Sequence, residues 1–282
     1  MSFALLLAIG LLLNAAASLL ALWRGSVDHG GAAAGTIAGT LIFACGGPLF
    51  WLILMAFFVS STAIGYIHGS EKKWLQSIHE KGARRDAAQV LANGGMGMIT
   101  ALLFRLTADA AWAAGFAVSF ASSTADTWAS ELGVLSRSGP VSLVTFRPVP
   151  RGVSGGVSPL GTVMSLAGAL FIAAIFSLEN IFLHAVPGGF MRIAAVVSAG
   201  GFAGSLLDSL LGATLQAQYA AEHSGDGSAV DDTLTVSEHR WSSRGLPNRL
   251  VRGLSFMNND VVNLASCASV TLAAVLLTPV LF

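Results

Sequence analysis

Apolar residues run along this chain in long blocks, separated by a few polar stretches. The first block, "FALLLAIGLLLNAAASLLALW" (3–23), holds 21 residues without a charge. A helix rises about 1.5 Å per residue, so such a block crosses a hydrocarbon core of roughly 30 Å. Seven more blocks follow, at 31–46, 48–67, 88–106, 110–132, 159–179, 189–216 and 260–282. The pattern predicts an all-α polytopic membrane helix bundle of about eight transmembrane helices, or seven if the short 31–46 block does not cross. The whole chain, 1–282, reads as a single integral-membrane domain. Helices are the expected spanning element because lipid offers backbone polar groups no partner. The first block lacks a basic leading region and is too long for a signal peptide, so it is expected to be retained.

Composition agrees with the pattern. The chain is 54% hydrophobic and 11% charged, against about 25% charged in soluble domains. Glycines recur at small-xxx-small spacing, as at Gly31, Gly35 and Gly39, which lets helices approach closely. Charge then orients the bundle. With eight spans, the polar loops 68–87, 133–158 and 217–259 and Arg24 share one face, which carries 13 of the 15 basic residues. The positive-inside rule makes that face cytoplasmic and puts both termini on the other side, in a cell membrane. The opposite connections, near 47, 107–109 and 180–188, are short, so function is expected within the bundle or on its cytoplasmic face. The formal net charge is zero and implies no nucleic-acid partner. Cys45 and Cys267 lie inside apolar blocks and suggest neither a disulfide nor a metal site. No oligomeric state follows from the sequence.

Ionisable residues inside spans are costly and direct attention to function. In "SSTADTWASELG" (122–133), Ser119, Ser123, Asp126 and Ser130 make one helical stripe, and Thr127 and Glu131 a second pair four apart. Glu131, nearer the end, has the alternative of simply reaching water. "GSLLDSLLGATLQ" (204–216) echoes this with Asp208-Ser209. "NNDVVN" (258–263) opens the last span with Asn258, Asn259, Asp260 and Asn263, and Asn93 sits in "LANGGMGM". All four lie near the same membrane face.

The loop "RPVPRGVSGGVSPLG" (147–161) interleaves Arg147, Arg151, Ser154 and Ser158 with Gly152, Gly155, Gly156 and Gly161. Its glycines allow an anion nest of backbone N–H groups, and a helix beginning near Pro159 points its N-terminus at the same place. The alternative is an ordinary reversal between spans. Loop 68–87 sets Trp74, Leu75 and Ile78 among Lys72, Lys73, Lys81, Arg84 and Arg85, which suits the headgroup plane, a topology signal or a phosphate contact. Loop 217–256 carries His223, Asp226, Asp231, Asp232, Glu238 and His239 at spacings that fit no standard zinc site, and is expected to be solvated.

Carboxylates with asparagine neighbours suit Mg²⁺, which bridges substrate phosphates. Arginines and glycine-loop amides suit a polyphosphate, and phosphoryl transfer needs positioning and charge neutralisation above all. A soluble nucleotide would enter from the cytoplasm while an amphiphile slides in from the bilayer. The segments "LANGG", "SSTADTWASELG", "PRGVSGGVSPLGT", "GSLLDSLLGATLQ" and "NNDVVN", in order between about residues 80 and 265, resemble the membrane family that contains phytyl-phosphate kinase and animal transmembrane protein 19. More distantly that family is similar to the CTP-dependent polyprenol kinases and cytidylyltransferases.

The resemblance implies CTP-dependent phosphorylation of a prenyl monophosphate, of phytyl or geranylgeranyl type, to the diphosphate, serving tocopherol and related lipid metabolism. It implies Mg²⁺ held by Asp126, Asp208 and Asp260, with Asp126, Asp208 and Glu131 as catalytic candidates. Arg147, Arg151, Gly152, Ser154, Gly155, Gly156 and Ser158 would hold the nucleotide phosphates, and Arg84, Arg85 and Asn93 the acceptor phosphate. Ser123, Thr127, Ser130, Asn259 and Asn263 would give polar support. Family members commonly carry cysteines in the segment matching 217–256; this chain has none there, so no zinc is implied. Two other classes share the same residues: a lipid-phosphate transporter or flippase, since transporters reuse repeats and broken helices, and a prenyl or lipid cytidylyltransferase, which would release pyrophosphate.

Overall fold

The computed structural model describes residues 1–67, 78, 84–220, 236–242 and 245–282. These form seven helices: α1 (Phe3–Trp23), α2 (His29–Tyr66), α3 (Ala87–Thr107), α4 (Ala110–Gly133), α5 (Pro159–Leu183), α6 (Phe190–Thr214) and α7 (Asn259–Leu281). α2 is not one rod. Gly47 has φ +78° and is followed by Pro48, a backbone that only glycine adopts without strain and a residue suited to start a helix. The chain doubles back there. Tyr66, at the end of α2, meets Ser26 at 3.0 Å, just before its start. Arms 29–46 and 48–66 are therefore antiparallel, and the bundle has eight helical passes, the number expected from the apolar blocks.

Local chemistry sets the helix ends. Asp28 caps α2 through Gly31 N at 2.7 Å. Asp86 and Gln89 form a reciprocal capping box at the start of α3, satisfying two orphan donors. Ala108 closes α3 in the left-handed conformation, and Asp109 caps α4 immediately after it. Asn258 caps α7 through Val261 N at 3.0 Å.

Six of the seven helices are long and apolar enough to cross a membrane on their own composition; α4 is the exception. It runs through the middle of the bundle instead, with Ala113 to Ala125 buried without a break. Glycines make room for it: a side chain at Gly97, Gly168, Gly201 or Gly204 on the surrounding helices would strike α4, and one at Gly115 on α4 would strike Val275 of α7. This is the close backbone approach that small residues permit between membrane helices. Phe50, Phe104, Phe116 and Phe120 fill the end of the bundle beyond, with Phe50 stacked on Phe116 at 4.1 Å between ring centres. That end is closed by aromatic packing. The opposite end carries the long connections and, among the described residues, opens into a cleft.

Those connections hold two small antiparallel sheets. β1 (Val141–Ser142) pairs with β2 (Gly156–Val157), and β3 (Gln218–Ala220) lies between β4 (Val236–Ser237) and β5 (Arg249–Arg252). Within 217–256 the described residues correct the expectation of a solvated loop only in part: Gln218, Tyr219 and Ala220 are buried, while β5 is largely exposed.

Candidate functional site

α4 and α6 touch where Gly201 and Gly204 lie against Ala121 and Ser122. One turn nearer the open end, this contact brings Asp126 and Asp208 close enough to interact electrostatically. Both line a cleft of about 910 Å³ of empty space, its solvent-open part included. Asp208 is anchored from α7. Its Oδ2 accepts from Ser266 Oγ at 3.0 Å, and the Asn263 amide, with its NH₂ turned toward Asp208, donates at 2.9 Å. Asp126 makes no hydrogen bond among the described residues. Two facing carboxylates, one of them without a donor, repel each other, and a divalent cation between them relieves that cost. Magnesium commonly takes one or two protein carboxylates and fills its remaining positions with water and phosphate oxygens. The donor set therefore fits it.

The facing wall is the glycine loop. Arg151, Gly152, Ser154, Gly155, Gly156 and Ser158 line the cleft, together with Ser130 of α4 and Asn259 of α7. The loop is fixed at both ends. β1 and β2 pair Ser142 with Gly156, and Ser158 caps α5, accepting from Gly161 N at 3.1 Å and donating to Gly133 O at 2.8 Å. The Ser158 hydroxyl is thus engaged in the fold, unlike the free phosphate donor expected of it. Gly155 adopts the positive φ expected of a loop glycine and lines the cleft, and it has a packing role besides. Its φ is +82°, and a Cβ there would overlap the backbone of Ala213 in α6. Glycine is needed at this position for loop-to-helix packing.

Other expected site residues lie elsewhere. Arg147 is exposed on the turn between β1 and β2 and does not line the cleft. Asp260 is buried in the first turn of α7 and also does not line it, and no three His, Cys, Asp or Glu side chains gather as a metal-binding group among the described residues. The expected trio Asp126, Asp208 and Asp260 is therefore a pair. Glu131 is five residues beyond Asp126, about 140° round the helix. It points the other way, toward Gly65 and Arg85.

Arg85, Asn93 and Thr127 line a second cavity on that far side, between α1, α2 and α3, and Arg84 packs beside Gly25. Burial lowers the pKa of the Arg85 guanidinium from its ordinary value, and the charge of Glu131 raises it again. Ser123 is held deeper, donating to Asn93 O at 2.8 Å. Of the polar residues on α4, Asp126 and Ser130 line the acidic cleft, Thr127 lines the second cavity, and Ser119 and Ser123 line neither.

Gln216 and Arg252 escaped the sequence reading, and Glu238, expected to lie in a solvated loop, joins them at the site. Glu238 Oε1 accepts from Ser154 Oγ and from Gln216 Nε2, both at 2.7 Å. Arg252 donates to Ser154 O at 3.1 Å and to Gly212 O at 3.0 Å, and burial lowers its pKa. Together they clamp the glycine loop onto α6. No periodicity marks them, because they come from a short sheet folded back over the bundle. Trp74, Leu75, Lys72, Lys73, Lys81, His223, Asp226, Asp231 and Asp232 lie outside the described residues.

Fold and cleft together define a polytopic integral membrane protein with an acidic, loop-covered cleft at one end of its bundle. The chain belongs to the family described as integral membrane protein DUF92, which it matches over residues 12–271. It is 27% identical to Protein PGR of Arabidopsis thaliana over 203 residues, covering 66% of this chain and 70% of that protein. It is 31% identical to the uncharacterized membrane protein MJ0933 of Methanocaldococcus jannaschii, covering 64% and 71%. It is 29% identical to the chloroplastic Protein VTE6 of Arabidopsis thaliana, covering 51% of this chain and 45% of that one. No solved structure matches the chain significantly.

Proposed function

We propose that this protein is an Mg²⁺-dependent kinase that uses CTP to convert a prenyl monophosphate to the diphosphate at the cytoplasmic membrane interface. The observation that carries the reading is the Asp126 carboxylate, which faces Asp208 across a cleft walled by the loop 151–158. Membership of a family resembling phytyl-phosphate kinase, together with the similarity to VTE6, supports a prenyl phosphate as acceptor. In the reaction an acceptor phosphate oxygen attacks the γ-phosphorus of CTP, the bond to the β-phosphate oxygen breaks, and CDP leaves. That oxygen is anionic near neutral pH, so no strong general base is required. Asp126 and Asp208 would hold Mg²⁺, which when bound neutralises charge on the nucleotide phosphates. Arg151 and Ser130 offer donors to phosphate oxygens at the mouth, and Ser266 and Asn263 keep Asp208 oriented.

The test is product analysis by mass spectrometry with purified protein, CTP, Mg²⁺ and a C20 prenyl monophosphate. CDP with prenyl diphosphate is expected. Pyrophosphate with a CDP-lipid would reassign the cleft to cytidylyl transfer, and lipid-phosphate movement across vesicles without nucleotide use would make it a transporter. Asp126→Asn should lower kcat by about 10²-fold or more, the scale of losing one electrostatic contact to the transferring group. Because the Asp126 carboxylate makes no hydrogen bond among the described residues, the metal-free variant should remain folded in detergent. Wild-type turnover would sink the assignment.

A further inference from the structure

The second cavity lies apart from the acidic cleft. It contains about 760 Å³ of empty space, its open part included, between α1, both arms of α2, and α3. Ala17, Gly35, Ala38, Leu54 and Phe58 give it apolar walls. Its hydrogen-bonding side chains are unevenly placed. Asn14, deep in the cavity, is already committed to Gly10 O at 2.8 Å and Trp51 Nε1 at 3.0 Å. Ser18 lies one turn of α1 along from Asn14, and Arg85, Gln89, Asn93 and Thr127 complete the polar lining, the first two at the end nearer the open face.

Arg85 is held firmly. Its N–H donates to Ser26 O at 3.1 Å, its carbonyl accepts from Asp28 N at 3.0 Å, and its guanidinium sits 5.9 Å from the rings of both Phe57 and Phe58. A fixed guanidinium above an apolar chamber matches a phosphate on a single hydrocarbon tail, because Arg presents a planar fork of donors to phosphate oxygens. α4 separates the two cavities: Asp126 faces one and its neighbour Thr127 the other.

We propose that this cavity binds a single-chain lipid phosphate, with the phosphate at Arg85 and the tail between α1 and the arms of α2. The proposal rests on the kinase reading for the class of lipid, and it names a holding site: α4 stands between this cavity and the acidic cleft, so the phosphate has to leave Arg85 to react, while the binding itself requires no turnover.

Two glycines make the cavity testable. A Cβ at Gly35 would meet only Ser18 Oγ, at 3.5 Å, and one at Gly94 nothing within 4 Å. Leucine at either position therefore enters the cavity without a clash at its first carbon. Binding to the full chain in detergent would be measured by native mass spectrometry with a C20 prenyl monophosphate, the C20 alcohol and inorganic phosphate. The monophosphate should bind at least about tenfold more tightly than either of the others, a difference of about 1.4 kcal/mol.

Gly35→Leu and Gly94→Leu should each abolish that advantage while leaving Mn²⁺ binding at Asp126 and Asp208 unchanged. Arg85→Gln with Glu131→Gln removes both charges together, and should bring the monophosphate down to the level of the alcohol. Wild-type lipid affinity in both leucine variants would overturn the proposal, as would an unchanged phosphate preference in the double variant. Lipid binding that obeys these variants in a protein that never yields CDP would keep this site and sink the kinase reading. Normal CDP formation in both leucine variants would do the reverse.

Discussion

Gly155 can be used to ask whether the glycine loop must be seated on α6 for the nucleotide to bind. Gly155→Ala faces two costs. The first is conformational: at φ +82°, an L-residue in the left-handed region costs roughly 1–2 kcal/mol. The second is steric, since the added methyl would overlap the backbone N and Cα of Ala213, which a helix cannot move aside. Overpacking of this kind costs about 1–3 kcal/mol. The sum, roughly 2–5 kcal/mol, falls on the loop, because the helices packed around α4 do not depend on it. The loop should lift from α6, weakening Ser154–Glu238 and the Arg252 contacts. MgCTP affinity, measured by equilibrium dialysis, should fall by tenfold or more with helical circular dichroism unchanged. Gly139→Ala is the control in the same connection: nothing lies within 4 Å of its Cβ position and its φ is not positive. Wild-type nucleotide affinity in Gly155→Ala would refute the idea that seating the loop builds the site.

Other outcomes follow from the same structure. Glu238→Ala removes the acceptor shared by Ser154 and Gln216. It should raise the KM for CTP several-fold with a smaller change in kcat, and an unchanged KM would show that the clamp is idle. Asn14→Leu strands the Trp51 indole N–H and crowds Gly39. Hydrogen bonds between membrane helices are worth about 0.6–1.7 kcal/mol, so the thermal midpoint in detergent should drop by a few degrees; an unchanged midpoint would count against it. Sidedness is testable because the native Cys45 and Cys267 are both buried. Gly139→Cys should react with an impermeant maleimide only from the cytoplasmic side and Gly189→Cys only from the other, and the reverse pattern would invert the topology.

The sequence made most helices plain, since spans of this length need apolar runs and these fall where α1 to α3 and α5 to α7 lie, while the block at 110–132 coincides with α4, whose composition alone does not mark a span. Even the fold-back in α2 showed as a break between two blocks at Gly47-Pro48. Asp126, Asp208 and the 151–158 loop were also legible as a group, because costly carboxylates stood near one membrane face beside a glycine-rich turn. What one dimension hides is direction around a helix. Asp126 and Glu131 are near neighbours in the chain, yet Asp126 lines the acidic cleft while Glu131 lies toward Gly65 and Arg85, and Arg85 and Asn93 line the second cavity. Glu238, Gln216 and Arg252 were hidden for another reason. Their place depends on pairings between β3 and strands far away in the chain, and a strand of two to four residues leaves no pattern to read.

The position of α4 has a consequence for how the protein is made. Its surface of alanine, serine and glycine is matched to other helices, and its composition alone does not mark it as a membrane segment. Emerging from the ribosome, it has little reason to leave the insertion channel by itself. The tight connection at Ala108 and Asp109 joins it to α3, so the two can enter the bilayer as a hairpin, the more apolar member carrying the other. Its remaining partners, α5, α6 and α7, are synthesised later. The helix that carries Asp126 must therefore wait, incompletely housed, until the C-terminal half closes around it, and the acidic cleft is completed only with the last helix.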